Sequence, residues 1–215
     1  MLRVVAYTIY HSPNAYLGTV LAERALATLP VEVVRRPICV PKARGVKVAD
    51  LVGGREAAVH SRYHREDCLR WARRYEVPFA PPPPEAFAER AARWASSPLA
   101  REELPARAYY AALGTGREDA LHHALFHAAW VEGLDVNDAA VVRRAADASG
   151  LDSESLLATA MERGSGDMLA AALQEFERDE CPGVPAWVLD GERFWGKDRV
   201  DWLATRVRER LGAPA

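Results

Sequence analysis

The 215-residue chain predicts an α/β fold whose sheet-forming half is split between the two ends of the sequence, with an all-helical block inserted between them. Three observations carry this expectation. A β-α-β pattern opens the chain, a β-β-α pattern closes it, and about 120 residues between them carry helical signals.

Leu2 to Tyr10 is rich in Val, Ile and Tyr and mostly apolar, as expected of a strand buried on both faces at the centre of a sheet. His11-Ser12-Pro13-Asn14-Ala15 follows, with Ser a preferred N-cap and Pro preferred at the first helical position. The helix that starts there presents Tyr16, Leu17, Val20 and Leu21 on its apolar face and ends near Leu29, because Pro30 cannot continue it. Val31 to Ile38 supplies a second strand, expected parallel to the first with a right-handed crossover. Residues 41 to 54 break the pattern with glycines, a proline and several charges. Helices are then expected over Ala57–Tyr75, Pro84–Ser96, Pro98–Leu113 and Arg117–Val131. Another is capped by Asn137 or Asp138 and ends before Gly150, and one more is capped by Asp152 or Ser153 and ends at Gly164. A last one runs from Asp167 to about Arg178. Pro81 to Pro84 is expected to be a stiff connection inside this block.

The C-terminal pattern is the most specific. Ala186 to Leu189 is a short apolar run, Asp190-Gly191 suits the two positive-φ positions of a type I′ turn, and Arg193 to Trp195 returns antiparallel. Val184-Pro185 precedes the first strand, a setting in which a cis peptide is expected. From Asp198 onward, Val200, Leu203, Val207 and Leu211 recur on one helical face. The whole arrangement resembles a thioredoxin-type fold, with residues 1–55 and 180–215 as the sheet domain and 56–179 as the helical insertion.

Charge narrows the range of partners. A formal net charge of −2 with interspersed signs offers no basic stripe, so neither nucleic acid nor an anionic membrane is expected, and a small molecule is. Cys39, Cys68 and Cys181 are odd in number and form no C-x-x-C or zinc-like spacing, which fits a reducing compartment. With no export signal in Met1 to Tyr7 and no apolar run of spanning length, the expected location is cytoplasmic.

In a thioredoxin-type fold the first strand delivers the chain to the N-terminus of the first helix, and a cis-proline loop lies against that point. Here those elements are Ser12-Pro13-Asn14-Ala15 and Val184-Pro185. A dithiol oxidoreductase needs cysteines where this chain has Ser12 and Ala15, so disulfide exchange is not expected there. A helix N-terminus still favours an anion by about 0.3–1 kcal/mol, or up to about 2 in a sheltered site. A Ser hydroxyl donating to a thiolate adds about 1.5–3 kcal/mol. At about 1.36 kcal/mol per pKa unit, the two together bring a thiol of pKa about 8.5 below neutrality. Such a site activates a thiol that the protein does not itself carry. From the local sequence alone, Ser before Pro at a helix start is more often a plain cap.

Four segments carry a closer resemblance. They are Ser12-Pro13-x-x-Tyr16-Leu17, Tyr63-x-x-x-Asp67-x-x-Arg70-Trp71-Ala72 with Pro78 following, Phe126-x-Ala128-x-Trp130-x-x-Gly133, and Gly183-Val184-Pro185 with Phe194-Trp195-Gly196-x-Asp198-Arg199. In order and spacing the chain resembles the family of 2-hydroxychromene-2-carboxylate isomerases and kappa-class glutathione transferases, in the DsbA-like branch of thioredoxin folds. The resemblance implies glutathione as cofactor, with Ser12 facing its sulfur, Val184 bonding the tripeptide backbone beside the cis Pro185, and Lys197 with Asp198 holding its γ-glutamyl end. It further implies a homodimer and an aromatic enone acid as substrate, isomerised through reversible addition of the thiolate. The alternatives are a kappa-like transferase that releases the adduct and a partner-binding protein without redox activity. His11, Asn14 and Ala49 or Asp50 would line the substrate side, with His11 placed to assist proton transfer. Asn14 stands where relatives have an aromatic, Ala49 or Asp50 where they have Asn, and Cys181-Pro182 replaces the residues usual before Gly-Val-Pro.

The remaining candidates attract blander expectations. His60 with His64 and His123 with His127 have i, i+4 spacing but no evident third ligand, so no metal is expected. Trp71, Trp130 and Trp195 are assigned to the core, and Cys181 to a buried, inert thiol.

Overall fold

The computed structural model describes residues 1–39, 54–97, 99 and 103–212. The chain divides into two compact units, one made of Met1–Ile38 with Ala170–Ala215 and the other of Cys39–Leu169. The sequence reading put these divisions at 55 and 180; the second division falls instead inside a helix.

The first unit is built on a four-stranded sheet of β1 (Leu2–Thr8), β2 (Val31–Pro37), β3 (Ala186–Leu189) and β4 (Glu192–Trp195), in the order β2-β1-β3-β4. The two ends of the sequence therefore share one sheet. β1 runs parallel to β2 in the register Leu2↔Val31 to Thr8↔Pro37, and antiparallel to β3 with Tyr7 opposite Ala186. β1 is a central strand, as its apolar composition predicts, but it ends two residues earlier than expected. The chain turns there, the Ser12 N–H donating to the Ile9 carbonyl at 3.0 Å. The β3–β4 hairpin closes through Asp190 and Gly191, whose φ angles of 50° and 80° are both positive, as a type I′ turn requires.

Helix α1 (Pro13–Leu26) links β1 to β2 and buries Tyr16, Leu17 and Leu21, each Leu contributing about 1.5–3 kcal/mol on leaving water. It stops one turn short of the expected Leu29. At the other end of the chain a single 3₁₀ turn, Lys197–Arg199, leads into α9 (Val200–Leu211), which buries Val200, Leu203, Ala204 and Val207. Both the turn and α9 pack against α1.

The second unit holds α2 (Gly54–Arg74), α3 (Pro84–Ser96), α4 (Glu103–Ala111), α5 (Glu118–Trp130), α6 (Ala139–Ala148) and α7 (Ser153–Met161). Asp138 and Asp152 cap α6 and α7, accepting from the Ala140 and Ser155 amides at 2.9 and 2.7 Å. Both assignments were legible from the chain. The prolines before α3 do brace helices: Arg65 donates to the Pro82 and Pro81 carbonyls, and the Ala80 N–H reaches the Trp130 carbonyl at 2.7 Å. Phe79 stacks on Trp130, whose place in the core matches expectation.

Two boundaries need correction. α7 ends at Met161, not Gly164, and α8 spans Arg163–Arg178, four residues more than expected. The cause is Arg107 on α4, which donates to the Ala160 and Glu162 carbonyls and so satisfies the end of α7. Its guanidinium fills the space above Gly166, where a Cβ would lie 2.7 Å from Nη2. Gly164, expected to end a helix, lies inside α8 with open space above it, and Gly166 makes room for Arg107 in the first turn of that helix.

Candidate active site

The site begins at the junction of β1 and α1. Ser12 has extended backbone angles, its hydroxyl oxygen accepts from the Ala15 N–H at 3.1 Å, and its carbonyl accepts from the Tyr16 N–H at 3.0 Å. It is a genuine N-cap, and Pro13 at the first helical position has no N–H to leave unsatisfied. The capping role does not exhaust the side chain, because a hydroxyl that accepts a bond still has a proton to give. Cap and thiol-binding donor are therefore compatible functions of one oxygen.

The Val184–Pro185 peptide is cis, and Pro185 sits directly on α1. A Cβ at Gly18 would lie 2.7 Å from Pro185 Cγ and 2.9 Å from Trp187 Cη2, closer than real contacts allow. Gly18 is thus the residue whose missing side chain lets the proline loop reach the helix. The same loop is tied to the end of β4, where the Gly196 N–H donates to the Pro185 carbonyl at 2.9 Å. Gly196 has φ of 100°, a value that suits only glycine, and Asp198 Oδ1 would lie 2.5 Å from any Cβ there. Sequence reading missed Gly18 because a glycine inside a helix carries no local signal of what approaches it.

Lys197 and Asp198 occupy the 3₁₀ turn that packs on α1, so the start of the chain and this turn meet on one helix. Lys197 is buried at 7 % exposure, whereas Asp198 is exposed and forms an ion pair with Arg199 at 2.8 Å. His11 and Asn14 flank Ser12, both partly exposed. Ala49 and Asp50 lie outside the described residues.

Trp195 corrects an expectation. It is 52 % exposed, not core, because β4 buries Phe194 on one face and turns Trp195 to the other. Its indole lies over Gly183, where a Cβ would come within 2.9 Å of Nε1. Since Gly183 has no positive φ, its glycine identity answers to space and not to backbone angle. Cys181 is buried, and its thiol is pushed up to about 11 by burial first and by the Asp179 carboxylate second. The inert thiol expected from the sequence is what burial produces. Among the described residues no group of three His, Cys, Asp or Glu side chains is arranged to hold a metal ion, and no helix is long and apolar enough to cross a membrane.

Comparison with known proteins places this geometry in a lineage. The chain is 29 % identical over 198 residues to a 2-hydroxychromene-2-carboxylate isomerase of Sphingobium xenophagum, covering 92 % of this chain and 93 % of that one. A solved structure of a 2-hydroxychromene-2-carboxylate isomerase superposes with a TM-score of 0.77 at 19 % identity, over all of both chains. The cytosolic disulfide reductase DsbM of Pseudomonas aeruginosa, solved with GSH, gives 0.63 at 18 % identity over 96 % of this chain and 100 % of the other. The sequence profile of the DSBA-like thioredoxin domain matches residues 3–208, so the sheet, the cis-proline loop and the helix-capping Ser12 belong to a member of the DsbA-like thioredoxin family.

Proposed function

We propose that this protein is a glutathione-dependent isomerase of an aromatic enone acid of the 2-hydroxychromene-2-carboxylate kind. The observation that carries the proposal is Ser12, whose hydroxyl caps α1 at the point where a dithiol relative would need a cysteine. Similarity to an isomerase along 198 residues supports the reaction class, and a relative of the same fold solved with GSH supports the cofactor.

The donor set fits such a ligand. It offers a hydroxyl at a helix start for a sulfur, the backbone of Val184 in the bend before β3 for a peptide backbone, and one ammonium and one carboxylate at Lys197 and Asp198 for a zwitterionic end. The Asp198–Arg199 pair is exposed, and such pairs are weak enough in water to yield to a ligand.

When bound, glutathione supplies a thiol whose reversible addition to the enone frees a carbon–carbon bond to rotate before elimination restores the alkene. The chain's own part is electrostatic. The Ser12 hydroxyl donates to sulfur while its oxygen draws on the Ala15 amide, so the positive end of α1 acts through the side chain as well as directly. Val184 and Pro185 fix the peptide beside that point, and Lys197 brings its ammonium in the 3₁₀ turn that packs against the same helix. His11 and Asn14 are left to the aromatic acid, His11 as the group that moves a proton. Ala15, fully buried, stands where exchange chemistry would need a second sulfur, so disulfide exchange is not part of the activity.

The test is conversion of 2-hydroxychromene-2-carboxylate with and without glutathione, run beside an insulin reduction assay. Turnover that requires glutathione without consuming it, and no insulin reduction, is the expected result. Turnover indifferent to glutathione, or insulin reduction that survives removal of all three cysteines, would contradict it.

A further inference from the structure

The six residues from Glu180 to Pro185 lie between Asp179, which follows α8, and the start of β3, and one residue of β1 holds the chain on both sides of them. Tyr7 lies opposite Ala186 in the β1–β3 pairing, and its hydroxyl donates to Asp179 Oδ2 at 2.7 Å. The ring is fully buried and meets Phe176 edge-on at 5.3 Å, which fixes the direction of the hydroxyl. Burial first, and then the bond to Asp179, push the phenol far above its ordinary value, so it stays a donor at every working pH.

Further ties hold the same segment. Arg193 on β4 donates through Nη1 to the Asp179 carbonyl at 3.3 Å and to Glu180 Oε2 at 2.8 Å. The Cys181 N–H reaches the Phe176 carbonyl at 3.3 Å, and Glu180 turns the chain with φ of 50°. Val184 lies between this anchored entry and Pro185, whose carbonyl accepts from Gly196. Around the carboxylate, Arg178 lies 4.0 Å from Asp179, and Glu175 pairs with Arg36 at 2.8 Å.

We infer that Tyr7 and Asp179 form a positioning pair that orders the Glu180–Pro185 loop and so sets Val184 for the bound tripeptide, taking no part in the reaction. This rests on the function proposed above. Removing the hydroxyl keeps the ring packing and strand pairing, so the effect should be confined to the loop.

The test uses the full chain with Tyr7→Phe, Asp179→Ala and Asp179→Asn. Amide hydrogen exchange without ligand should show the Gly196 amide exchanging about tenfold faster in Tyr7→Phe and Asp179→Ala, as expected for loss of one charge-assisted bond, with α9 amides unchanged. Asp179→Asn keeps an acceptor oxygen and should stay near the parent. Calorimetry should show glutathione binding about tenfold weaker in the same two variants, no weaker in their combination, and turnover at saturating glutathione within about twofold of the parent. Exchange that rises equally in α9 means general destabilisation and overturns the inference, as does a loosened loop with unchanged affinity. So does an unchanged loop. A parent that binds no glutathione defeats the proposed function and the ligand half of this inference, while the exchange arm still decides whether the pair orders the loop.

Discussion

Cys181 shows how far burial alone can decide a residue's chemistry. It lies three residues before Val184, in a fold whose relatives include a disulfide reductase, yet its thiol is buried beside a carboxylate and pushed up to about 11. At pH 8 the thiolate fraction is then about two hundredfold below that of a free cysteine of pKa about 8.5. Alkylation of the native protein, followed by peptide mass spectrometry, should show Cys181 reacting about two hundredfold more slowly than in the unfolded chain. A native rate within tenfold of the unfolded one would mean that this thiol is available and that the chemistry has been assigned to the wrong residue.

At the level of elements, the contact between α1 and the cis-proline loop is decided by one absent methyl group. Gly18→Ala would gain up to about 1 kcal/mol of helix propensity, but its Cβ would press on two rigid rings, and overpacking of that kind costs about 1–3 kcal/mol. At the middle of that range the clash wins by about 1 kcal/mol. For a chain of this size that corresponds to a melting temperature lowered by about 2–4 °C, and the displaced Pro185 loop should weaken glutathione binding as well. A variant as stable as the parent would show that the loop yields at no cost, and that α1 does not hold it in place.

For the whole molecule, much of the architecture was legible in the sequence, for identifiable physical reasons. Asp190-Gly191 allows only a tight hairpin, Ser12-Pro13 starts a helix, and Asp138 and Asp152 cap two more; all of these are local signals that the structure bears out. What escaped was non-local. Gly166 and Gly18 are explained by side chains distant in sequence, and the exposure of Trp195 by which face of β4 buries Phe194. The Tyr7–Asp179 bond joins residues 172 apart, and no spacing rule reaches that far.

The proposed chemistry requires that this protein make a bound thiol acidic, and the direct measurement is the pKa of glutathione in its complex, followed by thiolate absorbance across a pH titration. Ser12→Gly is the sharpest comparison, because glycine at an N-cap costs only a few tenths of a kcal/mol in helix stability while removing the hydroxyl entirely. The parent should bring the bound thiol from about 8.5 to below neutrality. Ser12→Gly should return it by about one to two units, and losing such a donor should slow turnover about ten- to a thousandfold. A bound thiol with the pKa of free glutathione, or a lowered pKa that survives Ser12→Gly, would contradict thiol activation by Ser12.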